Sequence, residues 1–349
     1  MRTWQNEWLN WYAEHRRDLA WRNTKDPYAI WVSEVILQQT RVDQGTDYYH
    51  RFLDRFPTVS HLANAPEKDV LKCWEGLGYY SRARNMHHAA GQIVATHGGQ
   101  LPADRDALLA LKGVGPYTAH AVASIAFGLP YAVVDGNVSR VLSRLFLITD
   151  DIATGKGHKR IEQQALEILD HRDPGTWNQA VMELGALVCT PVNPRCGDCP
   201  VSGICKAYIK GMTDELPVKS PKKKPRDRFF NYLVWEDPGG IHLTKRTTKD
   251  IWQNLYEFPL WESDQPVSGP EELIEAMPSY FRSGKEKIID HTSITHILTH
   301  QRIHAVFCHV QSDRVIKQPG IERIERDSPV AWPVHRLVQQ YLVKLGFIF

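Results

Sequence analysis

Four cysteines stand at Cys189, Cys196, Cys199 and Cys205, separated by six, two and five residues. No other feature constrains the chain as tightly. Thiols crowded into so short a segment cannot pair as ordinary disulfides without strain. They can wrap one soft metal centre, because thiolates select iron–sulfur clusters or zinc over hard cations. Pro191, Pro194, Gly197, Pro200 and Gly203 punctuate the segment and keep it from a regular helix. Structural zinc commonly uses two well-separated short-gap pairs, and only one short gap exists here. The spacing favours a [4Fe–4S] cluster over zinc, with a metal-free quartet as the remaining alternative.

A chain of 349 residues exceeds one ordinary core, which predicts two domains and room for a small third. No apolar run approaches the ~20 residues of a membrane span. The N-terminal stretch interrupts its tryptophans with charges and lacks the apolar core of a signal peptide. With four of six cysteines clustered, this predicts a reducing, cytoplasmic setting. A net charge of +2 does not announce a nucleic-acid binder, so any such function has to rest on local geometry. The basic, proline-containing run Lys219–Arg226 reads as an exposed linker.

Residues 1–210 read as helical. Trp4, Trp8, Trp11 and Tyr12 fall at helical spacing, and Asp26-Pro27 caps a second helix. Pro66, Pro102 and Pro116 predict further helix starts; Gly98-Gly99, Gly113 and Gly128 predict stops. After residue 228 the period changes. Phe229–Trp235 and Ile241–Lys245 flank the turn Asp237-Pro238-Gly239-Gly240 and predict a hairpin. Ile303–Val310 predicts another strand and Val334–Leu345 a closing amphipathic helix, so the second domain is a small α+β unit.

Between Ala107 and Phe127 an apolar helix predicted to end at Lys112 meets Gly113-Val114-Gly115, and Pro116 opens the next helix. Two glycines around one apolar residue let backbone amides face outward at a helix N-terminus, where they donate to a phosphate oxygen without a basic side chain. DNA held this way needs little net charge. The pattern L-x-G-V-G-x-x-T-A resembles the helix–hairpin–helix of base-excision glycosylases. Together with SEVILQQTRV (33–42), WEGLGYYSRARN (74–85), VDGNVSRVLSR (134–144) and the cysteine quartet, it makes nearly the whole chain resemble adenine DNA glycosylases of the MutY type, in the endonuclease III superfamily.

Glu34 shares a mostly apolar helical stripe with Ile30, Trp31 and Leu37, where desolvation would keep its carboxyl protonated near neutral pH. Asp135 precedes Gly136-Asn137 and a helix, so it reads as an N-cap held ionised by helix amides. The resemblance implies that Glu34 protonates adenine N7 and Asp135 stabilises an oxocarbenium sugar, by the two-carboxylate logic of glycosidases. It further implies that Asn137 orients Asp135 and that Tyr117 lines the pocket. Bifunctional relatives carry a lysine where this chain has Tyr117, which implies a monofunctional enzyme. Leu37, Gln39 and Tyr79 are expected to wedge into the duplex, and Gly113, Val114 and Gly115 to hold its backbone.

The resemblance implies a six-helix barrel over about 22–130 and an iron–sulfur domain built from 1–21 and 131–210. A linker at 211–228 and a MutT-like (Nudix-fold) lesion reader at 229–349 complete the division. No G-x5-E-x7-R-E-x2-E-E run exists, so pyrophosphohydrolase chemistry is not expected. DIWQNLYEFP (250–259) matches an early segment of that domain, and Leu298-Thr299-His300 stands where the family commonly has Phe-Ser-His. His291, His296, His300, His304 and His309 are taken as loop and strand residues rather than metal ligands, and Cys73 and Cys308 as structural thiols. The implied partner is double-stranded DNA with adenine opposite 8-oxoguanine, met by a monomer in the cytoplasm, associated with the nucleoid. Two other readings stand beside this one: a glycosylase/lyase acting on oxidised pyrimidines, and a non-catalytic iron–sulfur DNA-binding protein.

Overall fold

The computed structural model describes residues 3–221, 224–282, 286–326 and 328–349, so residues 1–2 and Lys222-Lys223 of the expected linker lie outside it. The helices run α1 (Thr3–His15), α2 (Pro27–Ile36), α3 (Val42–Arg55), α4 (Val59–Asn64), α5 (Glu67–Cys73), α6 (Ser81–His97), α7 (Arg105–Leu109), α8 (Pro116–Phe127), α9 (Gly136–Phe146), α10 (Gly155–Glu167), α11 (Pro174–Leu187) and α12 (Lys206–Ile209). Packing divides the chain into two units, residues 1–64 with 85–221 and residues 65–84 with 222–349.

In the first unit, the tryptophan stripe of α1 turns inward. Trp8, Trp11 and Tyr12 join Leu142 of α9, Ile161 of α10 and Trp177 of α11 in one core. The Trp8 indole donates to Ala180 O at 3.2 Å, so this buried polar group is satisfied across 172 residues of sequence. Asp26 caps α2 by accepting from the Tyr28 amide, with Pro27 in the first turn, as predicted. Two predicted ends move. α7 begins at Arg105 rather than Pro102, because Asp104 supplies the cap by accepting from the Ala107 amide at 2.8 Å. It ends at Leu109 rather than Lys112, because Leu111 N bonds back to Leu108 O and tightens the chain into a turn. Among the described residues no helix is long and apolar enough to cross a membrane.

The second unit is a mixed sheet with short helices. Its strands are β1 (Arg226–Asp237), β2 (Gly240–Lys245), β3 (Tyr256–Glu257), β4 (Leu260–Ser263), β5 (Lys287–Ile297), β6 (Gln301–Gln311) and β7 (Ile321–Ile324). The order is β3-β2-β1-β6-β5, with β4 on β1 and β7 on β2. Helix α13 (Pro270–Ala276) precedes β5 in the chain, and α14 (Arg336–Lys344) closes it. The predicted hairpin, strand and closing helix are all present, and β1 runs parallel to β6 from Arg226↔Gln301 to Glu236↔Gln311. The five histidines lie on β5, β6 and the turn between them, not on a helix.

The assignment of residues 65–84 to this unit was not anticipated by a division in chain order. Specific bonds account for it. Glu75 Oε1 accepts from Val334 N at 2.9 Å, the Tyr80 hydroxyl donates to Val334 O at 3.2 Å, and Asn254 Nδ2 donates to Glu67 Oε1 at 2.6 Å.

Candidate active site

α2 carries Glu34 to the wall of a cavity of about 210 Å³ in the first unit, also lined by Leu37, Tyr117, Asp135 and Asn137. Glu34 is 7% exposed. Burial pushes its carboxyl from 4.5 up to about 7; neighbouring Asp135 adds to the rise, while the Tyr117 hydrogen bond and the Arg22 charge oppose it. The partner of that carboxyl is Tyr117 itself, whose hydroxyl donates to Glu34 Oε2 at 2.6 Å. Tyr117 sits in the first turn of α8, behind Pro116. Burial and the adjacent Glu34 both hold its own proton on.

Asp135 is the N-cap of α9. Oδ1 accepts from the Val138 amide at 2.7 Å and Oδ2 from Asn137 Nδ2 at 2.8 Å. These donors favour the ionised form, as expected, but burial outweighs them and raises the carboxyl above its ordinary value. Asn137 Oδ1 in turn accepts from Arg140 Nη2 at 2.8 Å, and Arg140 Nε donates to Cys189 O at 2.7 Å. A continuous run of hydrogen bonds therefore joins Asp135 to the backbone of the cysteine segment.

Sequence reasoning missed Arg17, Arg22 and Glu183, which also line the cavity. Glu183 is fully buried and receives Arg22 at 2.8 Å and Arg17 at 2.6 Å. Burial alone would raise its carboxyl, but the two guanidinium groups prevail and bring it to about 2. One signal was available: Glu183 interrupts an otherwise buried apolar stretch of α11. Its partners, more than 160 positions away, carry no mark in sequence.

Gly113 of the hairpin has φ +77, and a Cβ there would stand 2.5 Å from Asn85 Cβ, so glycine is required on both counts. Gly115 caps α8. Val114 departs from the expected outward amide: its N–H bonds to Leu111 O at 3.1 Å and its side chain is buried. Leu37 caps the C-terminal end of α2, and Gln39 beyond it is exposed at φ +58. In the second unit, Tyr79 is exposed at φ +47 and its hydroxyl pairs with Thr299 Oγ1, in the exposed β5–β6 turn that also carries His300.

Within the quartet, charge on Cys189 adds to burial in raising the proton affinity of Cys196, Cys199 and Cys205. Burial pushes the Cys199 thiol up to about 12, and the amide of Val201 opposes that rise. Amides of Tyr208 and Ala207 point at Cys205, and Arg144 Nη1 donates to Cys189 Sγ at 3.3 Å. Among the described residues no three side chains close on a single metal ion; the N–H donors on Cys189 and Cys205 suit a larger iron–sulfur centre, whose sulfurs use such donors.

Three family models match the chain. An HhH-GPD superfamily base excision DNA repair protein covers residues 32–171, the iron-sulfur binding domain of endonuclease III covers 189–205, and a NUDIX domain covers 231–344. The adenine DNA glycosylase of Mus musculus is 36% identical across 72% of this chain and 59% of its own length. That of Schizosaccharomyces pombe is 45% identical across 79% of this chain and 70% of its own. The chain thus spans about three-fifths of the mouse relative. A solved thermostable thymine-DNA glycosylase superposes with a TM-score of 0.54 at 29% identity, over 59% of this chain and 95% of that one.

Proposed function

The chain belongs to the adenine DNA glycosylase family of the HhH-GPD superfamily, and on that premise we propose that it is a monofunctional DNA N-glycosylase. Its substrate in this reading is adenine mispaired with 8-oxoguanine or guanine in double-stranded DNA. The observation that carries the reading is Glu34, a buried acid poised near pH 7 and shared between a cavity and the Tyr117 hydroxyl.

The mismatched adenine leaves the base stack and enters the cavity. Glu34 gives its proton to adenine N7, so the electron pair of the C1′–N9 bond departs with a neutral base. Positive charge then develops on the sugar, where ionised Asp135, oriented by Asn137, stabilises it. Water adds at C1′ and its proton returns to Glu34. Tyr117 hydrogen-bonds the acid and has no amine to form an imine, in keeping with hydrolysis without strand cleavage. The quartet Cys189, Cys196, Cys199 and Cys205 would hold a [4Fe–4S] cluster, which supplies a covalent clamp on the loop and takes no part in the reaction. Tyr79, Thr299 and His300 are assigned to the base opposite, and Gln39 and Leu37 to the space that adenine vacates. The chain acts as a monomer in the cytoplasm.

A strand-break assay on duplexes carrying adenine opposite 8-oxoguanine, guanine or thymine tests this. Breaks are expected only after alkali, in the order 8-oxoguanine, guanine, thymine. Breaks without alkali, or equal rates opposite thymine, would overturn it.

A further inference from the structure

The two carboxylates reach the cavity by different routes. Glu34 rides a regular helix. Asp135 ends a strap, residues 128–135, that has neither helix nor strand. Such a segment has no ladder to satisfy its backbone, so its polar groups need partners from elsewhere.

Two side chains supply them. Asn178 of α11, 3% exposed, accepts from Val133 N at 3.1 Å and donates to Tyr131 O at 2.8 Å. Its amide is itself held, since Nδ2 also donates to Ser124 Oγ at 2.9 Å. His120 of α8 meets Ala132 O through Nδ1 at 2.9 Å, and its ring stacks on Tyr131. Arg105 Nε donates to the other ring nitrogen at 3.1 Å. A guanidinium only donates, so Nε2 is the acceptor and the single ring proton sits on Nδ1, facing Ala132 O. Three consecutive residues of the strap are thus pinned just ahead of Asp135. α8 holds both carboxylates, reaching Glu34 with Tyr117 and the strap with His120 one turn later. Neither His120 nor Asn178 lines the cavity.

We propose that His120 and Asn178 are positioning residues that fix the strap so that Asp135 faces the reacting sugar. The inference rests on the roles given above to Glu34 and Asp135. A displacement of about 1 Å in such a group costs on the order of 100-fold in rate.

The test uses the full-length, cluster-containing protein with His120→Leu and His120→Asn. The asparagine amide can donate to Ala132 O as Nδ1 does; leucine cannot. His120→Leu should slow single-turnover adenine release roughly 10- to 100-fold. Its affinity for the mismatched duplex, measured in a Glu34→Gln background, should stay within about twofold. His120→Asn should recover most of the rate, and Asn178→Ala, if it folds, should show the same split. An unchanged rate in His120→Leu, a parallel loss of affinity, or failure of asparagine to rescue would overturn the proposal. A second readout does not require turnover: the Asp135 carboxyl titration, followed by carbon NMR, should move in His120→Leu and return in His120→Asn. A wild-type protein that releases no adenine would sink the preceding reading. An unmoved Asp135 titration would sink this one.

Discussion

Glu34 of the helical unit and Glu257 of the sheet unit are both buried glutamates, at 7% and 3% exposure, yet they are held in opposite states. Glu34 has one hydrogen-bond donor, a neutral phenol, and sits near a second carboxylate; burial prevails and its carboxyl rises to about 7. Burial acts on Glu257 in the same direction. There His335 lies at 3.3 Å and Arg246 at 2.9 Å, and together they pull the carboxyl below its ordinary value. Arg246 is the permanent charge of that pair, since burial drives His335 toward its neutral form. Asp250 and Arg228 extend the network, with ion pairs of 2.6 and 2.7 Å. The contrast separates two uses of a buried acid. Paired with a permanent guanidinium it is a structural tie, costly to break. Left with a phenol and no paired guanidinium, beside a cavity, it is suited to store a proton.

Glu34→Gln probes the difference hardest. It keeps the shape and still accepts from Tyr117 but has no acidic proton. Adenine release should fall by about 10³- to 10⁴-fold, at the upper range for a lost general acid, with duplex binding and stability kept. Single-turnover release and a melting curve check both halves, and measurable loss of stability would move Glu34 to the structural class. Glu257→Gln should do the reverse. It leaves Arg246 with Asp250 alone and should cost the sheet unit about 3 kcal/mol in denaturant unfolding, while the chemical step survives at low temperature. A stability change under about 1 kcal/mol would show that the network is not the tie described here.

How legible each acid was in sequence follows from how far its partners lie. Glu34 could be read from its own helix, because the apolar neighbours that desolvate it sit three or four residues away. The cysteine quartet and the glycine hairpin were legible for the same reason, their constraint being local spacing. Glu183 with Arg17 and Arg22, the segment 65–84 against Val334, and the hold of His120 and Asn178 on the strap are pairings across 12 to 259 positions. Hydrophobic periodicity carries no information on such pairs. Asp135 fell between the two cases: its cap was readable, but the burial that raises its carboxyl comes from tertiary packing.

pH should drive the two acids apart. In the proposed mechanism Glu34 acts in its protonated form, so the single-turnover rate constant should fall about tenfold for each unit above pH 7. Its folded-state value is raised, so its contribution to stability is fully present below the unfolded carboxyl value and is lost as pH climbs through about 7. Glu257 is depressed, so its contribution is present above the unfolded value and is lost as pH falls through the folded one. Accordingly, Glu34→Gln should gain stability relative to wild type at pH 8–9 but not at pH 5. Glu257→Gln should differ most from wild type at neutral pH and converge on it in acid. Parallel curves for the two variants would remove the distinction.

The smallest effect is expected where neither kind of acid is involved. Tyr79 holds a left-handed backbone conformation and an exposed ring, and its hydroxyl pairs with Thr299. That bond is exposed, so it should contribute only about 1 kcal/mol, or roughly fivefold in rate or affinity. If the pair presents the turn to the base opposite adenine, Thr299→Val should shrink the preference for 8-oxoguanine over guanine by that factor, with release from the guanine mispair unchanged. Tyr79→Phe should match it. Because the two hydroxyls share one bond, the double variant should lose no more than either single one. Additive losses would mean that each hydroxyl meets the DNA independently, and an unchanged preference would take lesion reading away from this turn.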